Sequence, residues 1–249
     1  MPPLSRIATL SAEYTFTGRR FLSRVSIMTD DRKAGIALIA GSMGGILTMA
    51  IHPRGTASLS ADQVAHLAIV SGAAHSLAMV SVLLLFLGTC GLARRLASAD
   101  RISFAAIVTY GLACVAIMIA AAVSGFIVPD IMKRMVRDVP AAAHEWQIVI
   151  TGIFQINQAF ARIYSVAASM AVILWSISVL CNGGLGRGVA IYGCVIAPLI
   201  ILGIAAGHLR LEVHGMAAVM LGQAIWFIVA GCQLCSRPAS GASPQPSNR

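Results

Sequence analysis

Six apolar runs constrain this chain more than any other feature. They fall at roughly 34–52, 68–92, 103–128, 159–181, 189–208 and 215–235. Each is close to the length of about 20 residues that a helix needs to cross the hydrocarbon of a bilayer. In lipid, every backbone N–H and C=O must find its partner within the protein, and a helix satisfies them within one segment. The runs therefore predict an all-α fold, an integral membrane bundle of six transmembrane helices. Composition agrees. Of 249 residues, 58% are hydrophobic and 11% charged, whereas a soluble domain carries about 25% charged residues.

The flanks divide the chain further. Residues 1–33 form a polar, basic N-terminal segment without the compact apolar stretch of a signal peptide. Met28 opens a segment, Met28-Thr29-Asp30-Asp31-Arg32-Lys33, that itself resembles a natural start, so residues 1–27 read as an upstream extension. The transmembrane domain is expected over 34–235. The tail, 236–249, is rich in Ser, Pro and Gly and is expected to be disordered and cytoplasmic.

Local signals mark several helix ends. Ser60 and Gln63 have capping-box spacing ahead of the second span. Asn182-Gly183-Gly184 closes the fourth as a helix C-terminus would. Pro198 falls within the fifth, where it should kink the helix and free the Cys194 carbonyl. In the first span, Gly41-x-x-x-Gly45 suits close helix packing.

Residues 129–158 form the long connection. Met132, Met135, Val136 and Val139 recur at helical spacing, with Lys133, Arg134 and Arg137 on other faces. That pattern predicts an amphipathic helix at the outer interface between spans three and four, ended by Pro140. His144-Glu145-Trp146 then leads into a helix continuous with span four, with Gly152 as a bend point.

Basic residues set the orientation. With the N-terminus inside, cytoplasmic segments hold twelve Lys/Arg and outer loops five. Without residues 1–27 the contrast is eight to five, with the same sign. Both termini are thus expected to be cytoplasmic, in a plasma (inner) membrane. The net charge of +9 is read as topology signal and attraction to anionic lipid. No basic run interleaved with aromatics indicates a nucleic-acid partner.

The orientation gathers the polar residues. All six His lie in the outer half, and His52, His75, Arg162, His208 and His214 fall at one depth, with Glu145 and Glu212 the nearest acids. Gln155, Gln158, Arg162, Ser165, Ser169 and Ser176 share one helical face. Such a stripe belongs against the bundle or a wet cavity rather than lipid. In His208-Leu209-Arg210-Leu211-Glu212-Val213-His214, polar and apolar residues alternate. An extended link would point its polar groups one way, and a helical link would pair His208 with Glu212. A solvated turn has the same alternation.

Cys90, Cys114, Cys181, Cys194, Cys232 and Cys235 lie in or beside apolar runs and form no disulfide framework. Cys232 and Cys235 make a C-x-x-C at the inner end, where packing is favoured over a thiol cluster with Cys90 and Cys181. Gln223 is placed to hydrogen-bond across helices and Trp226 to pack. No P-loop, H-E-x-x-H or G-x-S-x-G occurs.

Three functional classes follow. The first is binding or transport of a small polar or anionic ligand at an outward-facing pocket of His75, Arg162, His208, Glu212 and His214. Arginine would supply fixed charge and the imidazoles a pH response. The second is a redox role with haem b or a metal ion held by His75 together with His208 or His214. The third is an accessory or assembly subunit without a ligand. The sequence decides neither enzymatic activity nor oligomeric state.

Overall fold

The computed structural model describes residues 30–53, 60–96, 101–137 and 140–236, with side chains omitted at 140–144. The N-terminal extension, the tail beyond Ser236, Arg54, Asp138, Val139 and the His144 side chain lie outside the described residues. The helices are α1 (Asp30–Ile51), α2 (Ala61–Leu96), α3 (Arg101–Ala122), a π-helical turn (Val123–Ile127), α4 (Val128–Arg137), α5 (Pro140–Asn182), α6 (Arg187–Ala205) and α7 (Val213–Ser236). There is no strand among the described residues. Six helices are long and apolar enough to cross a membrane, as a multi-pass membrane protein requires.

The helices close into a ring. α2 packs on α3, α3 on α5, α5 on α6 and α6 on α7. α1 fills the gap between α2 and α7, and glycine permits its close approach to both. A Cβ on Gly41 would lie 2.7 Å from the Ser81 carbonyl of α2, and one on Gly35 would lie 2.5 Å from the Gly231 carbonyl of α7. The two glycines of Gly41-x-x-x-Gly45 serve different neighbours, because Gly45 faces the tip of Met220 on α7.

The bundle is apolar outside and small or aromatic inside. Leu83, Leu87, Leu112, Val195, Leu199 and Leu202 are exposed. Such an exterior suits lipid and not water. Ala, Gly and Ser dominate the helix contacts, as expected where close packing, not escape from water, holds helices together. At the centre, Trp175 stacks on Trp226 with ring centroids 5.9 Å apart, Tyr110 lies 5.6 Å from Trp175 and Phe227 5.3 Å from Trp226.

The helices differ greatly in length, and the difference appears at one end. At the basic end they finish level. Arg95 pairs with Asp31, the Ser103 hydroxyl donates to the Ala93 carbonyl at 3.4 Å, and the Gly186 N–H donates to Gln233 Oε1 at 2.6 Å. At the opposite, histidine end, α2 with 36 residues, the α3–α4 run with 37 and α5 with 43 project beyond α1 with 22 and α6 with 19. At about 1.5 Å per residue, the long helices reach about 20–35 Å past the short ones.

These extensions have sequence causes. The capping box opens α2: Gln63 Oε1 accepts the Ser60 N–H at 2.9 Å, and the Gln63 N–H reaches Ser60 Oγ at 3.4 Å. Pro140 opens α5, a position where its missing N–H has no helical partner to lose. Gly183, at φ 76°, closes α5 with its N–H on the Val179 carbonyl at 2.9 Å. Helix α6 runs through Pro198. α4 follows α3 through the π turn without a break and packs on α2 and α5, whereas the sequence reading set it apart as a surface helix. Pro140 also opens the next helix, α5.

Candidate functional site

The histidine end divides into two clusters. The first is built around His75, buried on α2. Its Nδ1 lies 2.8 Å from the Ser71 carbonyl one turn back. A carbonyl only accepts, so Nδ1 carries the proton and Nε2 keeps its lone pair in the neutral ring. His52, at the end of α1, makes the same choice, with Nδ1 3.1 Å from the Pro53 carbonyl. The two rings meet edge to face, their centroids 5.1 Å apart.

The π turn fits around His75. The Val128 N–H bonds the Val123 carbonyl, and Pro129 has no N–H, so the Ser124 carbonyl is left without its helical donor. The Ser71 hydroxyl supplies that donor at 3.1 Å. Gly125 admits the imidazole: a Cβ there would stand 2.5 Å from His75 Cβ and 2.9 Å from its Cγ. A glycine and a proline four residues apart thus shape the wall against which His75 is held.

The second cluster lies on α5 and the α6–α7 link. Ser165, Ser169 and Ser176 are buried, and the lower stripe is used between helices. Gln223 of α7 donates to Ser169 Oγ at 3.1 Å and accepts from the Tyr164 hydroxyl at 3.1 Å. Trp226 donates its indole N–H to Ser176 at 3.1 Å. Arg162 continues that stripe upward but is exposed. By helix rise it stands about 30 Å from the basic end, level with His75.

The link is neither strand nor helix. Gly207, at φ 72°, turns the chain out of α6, and the Leu209 N–H returns to the Gly203 carbonyl at 2.8 Å. Leu211 is buried with Ala161, Ile200 and Val219, and Leu209 packs beside them. His208, Arg210, Glu212 and His214 are exposed. The alternation is thus that of an amphipathic link pinned by its leucines. Because Ala161 is in that cluster, the link is anchored beside the turn of α5 that carries Arg162.

Of the five expected site residues, Arg162 and the Glu212-bearing link lie on neighbouring elements, while His75 is engaged with His52. Among the described residues, no hydrogen bond or ion pair joins any two of the five, and the ion pairs present are Arg95–Asp31 and Arg134–Asp130. No three His, Cys, Asp or Glu side chains are grouped as a metal cage among the described residues. A groove of about 480 Å³ opens beside His52, lined by Pro53, Asp62, Gln63, His66, Leu67 and Val70. The described cysteines are free. Sequence reasoning missed the His52–His75 pairing. Its available signal was the common depth of the two residues on consecutive helices.

No protein family matches this chain, and neither a curated protein nor a solved structure shows detectable similarity to it.

Proposed function

We propose that the chain is a plasma (inner) membrane protein that binds a small anionic ligand at its histidine end, facing away from the cytoplasm. The observation that supports this reading most is Arg162. Its guanidinium is exposed, has no ion pair among the described residues, and sits beside the pinned link that bears His208 and Glu212 and leads into His214 at the start of α7. An arginine at the rim of a bundle is well suited to carboxylate or phosphate, which its planar fork grips at two points. His208 and His214 would add proton-dependent attraction, and Glu212 would discriminate against bulky or highly charged anions. The aromatic centre of Tyr110, Trp175, Trp226 and Phe227 fills the middle of the bundle, so passage through the protein would require those rings to move.

The test is a thermal-stability titration of the detergent-solubilised chain with inorganic phosphate, sulfate and a dicarboxylate. At least one should stabilise the protein saturably. A charge-assisted hydrogen bond contributes about 1.5–3 kcal/mol, so Arg162→Ala should weaken that ligand about ten- to a hundredfold. His66→Ala, on an exposed face of α2, should leave it unchanged. Equal effects of the two substitutions, or no response to any anion, would favour an accessory subunit without a ligand.

The orientation assigned here sets Arg32, Lys33, Arg94, Arg95, Arg101 and Arg187 in the cytoplasm. It puts α4 at or above the outer headgroups, since Pro129 stands about 42 Å along its helix and the hydrocarbon is about 30 Å thick. A C-terminal alkaline phosphatase fusion should be inactive and a fluorescent cytoplasmic reporter bright. The opposite pair of results would turn the binding end inward.

A further inference from the structure

We propose that His52 and His75 form a two-imidazole site for a divalent transition-metal ion of borderline softness, Zn2+ or Cu2+. This site is independent of the anion reading and uses none of Arg162, His208, Glu212 or His214. Three observations carry it. The first is tautomeric. Both Nδ1 atoms are held by main-chain carbonyls, Ser71 at 2.8 Å and Pro53 at 3.1 Å, so both Nε2 atoms present lone pairs. Histidines that bind metals are usually oriented in this way, with one ring N–H given to a carbonyl so that the other nitrogen is fixed as the ligand.

The second is spacing. Metal–imidazole bonds of about 2.0–2.1 Å put two ligands at a tetrahedral angle about 3.3 Å apart, with their ring centres farther back. Centroids at 5.1 Å with planes inclined by 70° suit such a pair. They do not suit axial ligation of haem. Ligands on opposite sides of an iron are about 4 Å apart, by bonds of similar length, and their ring centres would stand beyond the distance seen here.

The third is the support around the pair. His75 is backed by the Gly125 wall and by the Ser71 hydroxyl, itself anchored on the Ser124 carbonyl. Burial of an imidazole is costly unless it is paired, and here Nδ1 is satisfied by the helix, which leaves Nε2 to take a ligand. Imidazole nitrogen suits zinc, copper and nickel far better than magnesium or calcium. With no third protein ligand grouped there among the described residues, the remaining positions fall to water or an incoming ligand. Pro53, next in the chain to His52, also lines the groove that carries Asp62 and His66 on its wall.

The experiment uses the full chain in detergent, freed of tag histidines, with one equivalent of Cu2+. Paramagnetic resonance should show superhyperfine coupling to two imidazole nitrogens, and Zn2+ should displace the copper. In competition titrations, His52→Ala and His75→Gln should each weaken copper binding at least tenfold, while His208→Ala should not. If His75→Gln fails to fold, His52→Ala decides alone, because His52 is half-buried at the end of α1. Copper binding unchanged in His52→Ala, lost equally in His208→Ala, or absent from the wild-type chain would overturn the proposal.

Discussion

Trp175→Ala is expected to destabilise the bundle by about 3 kcal/mol, the low end of the range for removing a buried tryptophan from a core. Trp175 is fully buried among Tyr110, Trp226 and Phe227, on α5, the helix that contacts most of the others. Its removal leaves a void that helix backbones cannot readily close, and the lining rings lose dispersion contacts. The figure stays low for a physical reason. In a bilayer the separated helices still lie in hydrocarbon, so the transfer of the ring out of water contributes little and the packing term remains. Trp175→Phe separates the two effects. The indole N–H is buried without a partner, so phenylalanine keeps most of the packing and removes an unsatisfied donor. Its cost should be within about 1 kcal/mol. Unfolding in mixed micelles measures both, and a Trp175→Ala cost below that of Trp175→Phe would refute the central role of this ring.

The spans were legible because a long apolar run has few alternatives once charge is absent. The capping box at Ser60 and the Gly183 terminus were legible because each depends on residues adjacent in the chain. The continuity of upper α5 with span four was also legible, from His144-Glu145-Trp146 onward. Its start at Pro140 was not, because Ile148, Val149, Phe154 and Ile156 are exposed among polar neighbours such as Gln147 and Gln155, so neither hydropathy nor periodicity marks how far up the helix runs. The α3–α4 junction was hidden for another reason. Arg134 and Arg137 suggested a separate surface element, yet a helix can carry charge once it leaves the hydrocarbon, and the π turn keeps its ladder continuous.

The polar layer was legible in depth and not in azimuth. Helix rise gives the level of His75, Arg162 and His214 from their distances to helix ends. Nothing in a single sequence gives the order of helices around a ring. Gln223 was readable as a cross-helix donor, but its partners Ser169 and Tyr164 follow from which face of α5 meets α7. The pairing of His75 with His52, rather than with His208 or His214, depends on α1 lying beside α2. That placement rests on backbone approach at glycines, which hydropathy does not register.

Gly231→Leu tests that placement and should cost about 3 kcal/mol, the upper part of the usual range for overpacking. A Cβ on Gly231 would meet the Gly35 carbonyl at 2.7 Å, Ile39 Cγ1 at 2.9 Å and Leu38 Cβ at 3.2 Å. The first of these is main chain and cannot rotate aside, so the only relief is for α1 to move away from α7. On its other flank α1 is held by α2, where a Cβ on Gly88 would stand 2.8 Å from the Leu38 side chain and one on Gly41 2.7 Å from the Ser81 carbonyl. Displacing α1 would therefore disturb two interfaces and carry His52 away from His75. The expected results are a lower unfolding midpoint in mixed micelles and weaker copper binding in the same variant. Gly152→Ala supplies the contrast. That glycine is inside α5 with nothing within 4 Å of a new Cβ, so alanine should stabilise the helix by about 0.5–1 kcal/mol. Equal behaviour of the two glycine variants would mean that α1 does not touch α7 as described. A stability loss in Gly231→Leu with copper binding intact would instead mean that His52 and His75 are held together by α2 and the π turn alone.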